Sequence, residues 1–182
     1  MAGRTNDAGD VDHLSGGVMR RDTTPVPGPD SLPPVHVARS ATFQLPTSLA
    51  ATLPLFSPEG ERAWVPGWDP EYLHPRSGAT TPGTIFRTRH NGEEILWLIL
   101  RYDLDLGCAE YARITPGSRM GTVRIQAKPV DPDHTTVTVT YELTGLTEAG
   151  NRALEGMTAQ AFAAMIANWQ RAIISSLSST AT

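Results

Sequence analysis

The sequence predicts an α+β domain in which a curved antiparallel sheet of about six strands wraps around a long C-terminal helix. Three observations carry that reading. Five strand-like runs follow one another between residues 83 and 147, separated only by turn chemistry. The last of them, "TTVTVTYELTGL", places Val137, Val139, Tyr141 and Leu143 on one face and threonines and Glu142 on the other, the period of a half-buried strand. The chain then ends on a segment whose apolar positions Leu154, Met157, Ala161, Phe162, Met165, Trp169, Ile173 and Leu177 recur at three- and four-residue spacing, the mark of a helix with one buried stripe. A wet-faced meander and a striped helix of matching length bury their apolar faces against each other.

The elements follow in order. Residues Met1 to Pro34 hold five glycines, five prolines and five aspartates with isolated apolar residues, too little apolar surface to offset ordering entropy. A disordered tail over 1–34 and one domain over 35–178 are expected. "VHVARSATFQL" alternates as a strand, with Arg39 the one exception on its apolar face. Two short helices should follow. Thr47 or Ser48 caps the first and Pro54 limits it, while Ser57 caps the second, with Pro58 in its first turn, through about Ala63. Asn91-Gly92 supplies the positive φ angles of a tight hairpin between the next two strands, and "TPGS" at 115–118 reads as a β-turn. The final helix should start after Thr147, with Gly150 and Gly156 as weak points.

Composition narrows the function classes. The net charge is −4 and no basic cluster is present, so nothing argues for a nucleic-acid partner. Lys128 is the single lysine among 15 basic residues, which reads as composition bias. Cys108 is the only cysteine, which excludes an internal disulfide and any multi-cysteine metal site; it falls in a strand and reads as a small buried hydrophobe. The longest apolar run, "ILWLIL", is far shorter than the roughly 20 residues of a membrane helix. A cytoplasmic protein with no membrane span and no cofactor is expected.

The stretch Phe56 to Pro75, "FSPEGERAWVPGWDPEYLHP", stands apart: four prolines, two tryptophans, a tyrosine and a histidine. Proline removes backbone donors and fixes φ, which argues against a helix or a central strand. Its aromatic surface suits the lid of a core or the wall of a binding place. Asp69, Glu71 and His74 lie close together but at irregular spacing, and regular ligand spacing is what metal sites show. Capping and salt bridging with Arg62 or Arg76 explain them, and no metal is expected.

Four segments resemble the small bacterial members of the SRPBCC or START-like superfamily: Ser57 to Pro75, "GTIFRT" from Gly83 to Thr88, "EYARITPGSRMG" from Glu110 to Gly121, and "TVTVTYELTGLTEAGN" from Thr136 to Asn151. The likeness covers roughly residues 35–177. It implies the helix-grip fold, of the START and birch-pollen-allergen type, and a cavity under the helix for a small hydrophobic or amphipathic molecule, lipid or polyketide-like. The sequence yields six strands, one fewer than the larger members of that superfamily.

The candidate ligand-binding residues follow from this arrangement. Trp64, Trp68, Tyr72 and His74 lie in the aromatic segment that passes over one end of the sheet. Tyr141 lies on the apolar face of the last strand, Tyr111 and Arg113 share one face of theirs, and Trp97 is on a strand whose inward face alternation does not fix. Met165 and Trp169 lie on the helix stripe. The ordinary explanation of Arg113, Arg101 and Arg87 is as cross-strand partners of Glu110, Glu94 and Glu142 on the wet face. A binding or carrier protein is the first reading. A polyketide cyclase-like enzyme using polar cavity residues, and an interaction or co-chaperone-like module with a filled core, remain as alternatives.

Overall fold

The computed structural model describes residues 33–90 and 92–180. The tail expected over 1–34 therefore lies, apart from Pro33 and Pro34, outside the described residues. The chain runs β1 (His36–Leu45), α1 (Leu49–Thr52), two 3₁₀ turns (Leu53–Phe56 and Gly60–Ala63), β2 (Glu71–His74), β3 (Ile85–His90), β4 (Glu93–Asp103), β5 (Cys108–Thr115), β6 (Arg119–Asp131), β7 (His134–Gly145), α2 (Glu148–Glu155) and α3 (Ala159–Thr180). All strand pairs are antiparallel, in the order β1-β7-β6-β5-β4-β3-β2. The five-strand meander is β3 to β7, and β1 returns to pair with β7.

The sheet has seven strands rather than six. The extra one, β2, lies inside the proline-rich segment and pairs only with β3 at the sheet edge. An edge strand needs donors on one side only, so Pro70 and Pro75 can flank it without breaking a ladder. The β3–β4 hairpin closes at His90↔Glu93 with Gly92 at φ 80; Asn91 lies outside the described residues. Ser57 Oγ accepts from the Gly60 N–H at 2.9 Å, but the helix expected from Pro58 through Ala63 is a 3₁₀ turn confined to Gly60–Ala63.

The C-terminal helix is broken. α2 ends at Glu155 and α3 starts at Ala159, so the single helix expected from Thr147 to Leu177 is two. Each piece has its own cap. Thr147 Oγ1 accepts from Gly150 N at 3.2 Å, and Thr158 Oγ1 accepts from Ala161 N at 3.1 Å. Within the break, the Met157 carbonyl accepts from Arg39 Nε at 3.0 Å. The one polar residue on the apolar face of β1 thus satisfies a carbonyl that the interrupted helix leaves open. Along α3, Phe162, Ile166 and Ile173 are buried while Ala161 is exposed; the stripe runs through Ile166, which the spacing argument passed over.

Gly150 is better explained by crowding than by helix weakness. A Cβ there would run into the backbone carbonyl of Ser118, so only glycine lets α2 sit against the β5–β6 turn. At Gly156 a Cβ would meet nothing closer than the Ala153 oxygen at 3.6 Å, and φ is −68. Gly150→Ala is expected to cost about 1–3 kcal/mol through overpacking, whereas Gly156→Ala should gain about 0.4–1 kcal/mol by restricting the unfolded chain. Denaturant midpoints of the two variants check the pair of signs.

Candidate functional site

Between the concave sheet and α3 lies a cavity of about 550 Å³, inside the range of small-molecule sites. Its deep walls are buried side chains of the sheet, among them Phe86, Trp97, Tyr111, Ile125 and Tyr141. Met165 and Trp169 of α3 and Met157 of the helix break close one side. Exposed lining residues Pro66, Gly67, Arg89, His90 and Asn168 mark the opening.

The aromatic segment supplies the rest of the wall. Trp64 is buried, edge-on to Phe56 at 5.9 Å and to Trp169 at 5.3 Å. Trp68 is part-exposed and packs edge-on to Phe86 at 6.4 Å and Trp97 at 5.9 Å. Each ring is oriented by a hydrogen bond to irregular backbone: Trp64 Nε1 donates to the Leu55 carbonyl at 2.7 Å and Trp68 Nε1 to the Pro58 carbonyl at 2.8 Å. From the sheet side, the Tyr111 hydroxyl donates to the Phe56 carbonyl at 2.6 Å. Trp97 lies parallel to Phe86 at 6.0 Å and donates from Nε1 to Thr88 Oγ1 at 3.0 Å.

Eight of the ten sequence candidates meet in this cavity: Trp64, Trp68, Trp97, Tyr111, Arg113, Tyr141, Met165 and Trp169. Tyr72 and His74 do not line it. Strand β2 sits on the sheet edge; the Tyr72 ring packs behind Phe86 at 6.1 Å and its hydroxyl is pushed up to about 12 by burial and by Glu59 beside it. His74 is exposed at the end of the strand. The carboxylates of the same segment are engaged by guanidiniums, Asp69 by Arg62 at 2.7 Å and Glu71 by Arg87 at 2.8 Å. Cys108 is on β5 as expected but only part-buried, on the outer face opposite Gln126.

The three ambiguous arginines separate. Arg87 is on the outer face with Glu71 and Glu94, and Arg101 pairs there with Asp103 at 3.5 Å. Glu110 and Glu142 are served instead by Arg124. Arg113 turns inward, sharing the cavity side of β5 with Ala109 and Tyr111. It stands opposite Trp97 in the β4–β5 register, its guanidinium 5.7 Å from that ring's centre.

Glu61 joins the cavity without having been a candidate. The turn Gly60–Ala63 is 3₁₀, and in that geometry residues three apart eclipse, so Glu61 shares a side with Trp64. Part of the residue is exposed, but its carboxyl faces the buried interior, and this desolvation raises its pKa well above the ordinary carboxylate value. Among the described residues the Glu61 carboxyl has no hydrogen-bond or ion-pair partner. Its charge would be felt at both Tyr111 and Tyr141, whose hydroxyls burial already pushes up. Tyr141 also feels Arg113, in the opposite sense.

A raised folded-state pKa fixes the pH dependence. The stability tied to Glu61 is fully present below the unfolded carboxylate value of about 4.3 and is lost as pH rises through the folded value. Glu61→Gln, which does not ionise, should therefore match the parent protein near pH ~4 and exceed it at neutral pH. A series of denaturant midpoints against pH measures this; a pH-independent difference would mean a solvated carboxyl.

No family model matches the sequence, and no curated protein matches it significantly. Solved structures do match. Norcoclaurine synthase from Thalictrum flavum, in complex with dopamine and hydroxybenzaldehyde, superposes with a TM-score of 0.55 at 16% identity over 78% of this chain and 88% of that one. Ginseng major latex-like protein 151 from Panax ginseng gives 0.57 at 9% identity over 77% and 96%. A protein from Rhizobium leguminosarum gives 0.55 at 12% identity over 76% and 94%. With these neighbours, the antiparallel sheet curved about a C-terminal helix gives this chain the helix-grip fold.

Proposed function

We propose that the protein binds a small hydrophobic or amphipathic molecule, lipid or polyketide-like, in the cavity between its sheet and α3. The observation that carries the reading is the cavity itself: about 550 Å³ of space with mostly apolar walls and a few polar groups, Glu61, Arg113 and Tyr141, aimed into it. Sites of that size that are apolar with sparse polar anchors are what small ligands occupy. The open space also speaks against the interaction-module reading, which needs a filled core. The complex of norcoclaurine synthase with dopamine and hydroxybenzaldehyde shows a small-molecule complex on the same fold and, at 16% identity, no more than that.

The enzyme reading keeps one specific observation in its favour. Titratable groups converge in the cavity, and a carboxyl with a raised pKa, whose charge reaches two tyrosines, is the kind of group that passes a proton. Native mass spectrometry of protein purified from its own source separates the two: a carrier retains one intact ligand, whereas an enzyme supplied with that ligand converts it.

The two tryptophans of the irregular segment should divide between folding and binding. Trp64 is enclosed by Phe56, Trp169 and the Leu55 carbonyl, so Trp64→Ala should cost roughly 3–5 kcal/mol of stability. Trp68 is part-exposed at the cavity, with ring partners in the sheet. Trp68→Ala should cost less stability than Trp64→Ala and weaken an uncharged probe such as phenylnaphthylamine by about tenfold or more. Denaturant midpoint and probe titration on each variant give both readouts. A large stability loss at Trp68 with affinity unchanged would assign the whole segment to the core.

A further inference from the structure

The charged groups around the cavity do not balance. Arg119 is clasped by Glu93, Nη1 to Oε1 at 2.9 Å and Nη2 to Oε2 at 2.6 Å. Arg89 is shared between Glu94 at 3.4 Å and Glu71 at 4.0 Å. His90 is exposed at the opening. Arg113 alone among the lining arginines has no carboxylate partner among the described residues. Of its guanidinium donors, Nη1 bonds Thr115 Oγ1 at 3.3 Å, and its plane lies near the Trp97 ring. The ring offsets part of the cost of desolvating the charge, but a guanidinium carries five N–H donors and most of these are unused. Burial can turn a carboxyl such as Glu61 into a neutral acid, whereas a guanidinium stays charged. Arg113 is part-buried, so its free donors face the cavity and are open to an acidic group that enters it.

The walls say what the rest of that entrant is shaped like. Phe86 and Trp97 are parallel to within 8°, and Trp68 meets both edge-on, at 68° and 60°. Trp64 and Trp169 face the same space from the helix side. Flat faces and ring edges of this kind favour a planar, aromatic body.

We propose that the ligand is an organic anion, with a flat apolar body against these rings and an acidic oxygen group seated on Arg113. The proposal rests on the reading of the cavity as a ligand site. The forked guanidinium suits two oxygens of one acid group, held by paired charge-assisted hydrogen bonds, and the tryptophan beneath Arg113 holds the fork in place when the cavity is free.

Two fluorescent probes sharing one body test this on the full chain: anilinonaphthalene sulfonate, which carries an acid group, and phenylnaphthylamine, which does not. Competition between them establishes that they occupy one site. The parent protein should prefer the sulfonate by about tenfold to a hundredfold, the range of a hydrogen bond to a charged group. Arg113→Met should abolish the preference, bringing the ratio of the two affinities close to one, and Arg113→Lys should restore part of it. In the parent protein the preference should also persist at high salt, because a buried pair is screened far less than a surface one; this reads the anchor even if Arg113→Met does not fold. Equal affinities in the parent, a preference unchanged in Arg113→Met, or one that vanishes with salt would each overturn the anchor and leave Arg113 a packing partner of Trp97. Failure of both probes to bind would overturn the ligand-site reading instead.

Discussion

Three backbone carbonyls in irregular chain, those of Leu55, Phe56 and Pro58, set the terms for the cavity wall. They belong to the 3₁₀ turn Leu53–Phe56 and to the link that follows, where the backbone ladder runs out and acceptors are left over. Each is taken by an aromatic donor: Leu55 by Trp64, Phe56 by Tyr111 and Pro58 by Trp68. A buried acceptor left without a donor costs about 1–3 kcal/mol, so the donors here must be side chains that can also be buried. Tryptophan and tyrosine combine a large apolar body with one polar handle. The requirement to satisfy proline-rich backbone therefore dictates that rings, rather than aliphatic side chains, form this wall.

Fixing those donors also fixes where the rings go. Trp64 is drawn into a run that joins β1 to α3 through Phe43, Phe56, Trp64, Trp169 and Tyr141. Trp68 is drawn into the other run, with Phe86 and Trp97 of β3 and β4. The two indoles are four residues apart in sequence and belong to opposite sides of the cavity, so the short irregular link between them spans its mouth. The helix side is held open in a related way: α3 is separated from α2 by a break whose Met157 carbonyl is held by Arg39 of β1. Helix and segment are each pinned to the sheet by a polar contact from an otherwise apolar face, and the space between them follows.

Much of this was legible in the sequence, and the failures have physical causes. Strict alternation in β7 and the caps at Ser57 and Thr147 were readable because each rests on local chemistry. Strand β2 was hidden because proline content excludes a central strand, and edge placement, which removes the objection, is a property of the whole sheet. Arg113 was ambiguous because β5 is poorly polarised: Ala109, Tyr111, Arg113 and Thr115 alternate with Cys108, Glu110, Ala112 and Ile114, and neither set is plainly the inner one. Tyr111 shared its face and was the clue, since its hydroxyl finds a buried carbonyl only on the inside. Glu61 was missed for a different reason. A turn of four residues has no periodicity to read, and the side it shares with Trp64 appears only once the turn is known to be 3₁₀.

Glu61 and Arg113 show why charge in a cavity has to be read group by group. Both are polar side chains on apolar walls, and both sit near Tyr141, which feels them with opposite sign. Desolvation acts on each in the same physical sense, against the charged form. The outcomes differ because the intrinsic affinities differ: a carboxyl reaches neutrality by taking up a proton at accessible pH, while a guanidinium starts too basic for burial to discharge it. An apolar chamber holding one of each therefore acts on the two unequally, raising the carboxyl's pKa while leaving the guanidinium charged. In the proposed anion site, that asymmetry is what would give the cavity a preference among ligands that shape alone would leave equal.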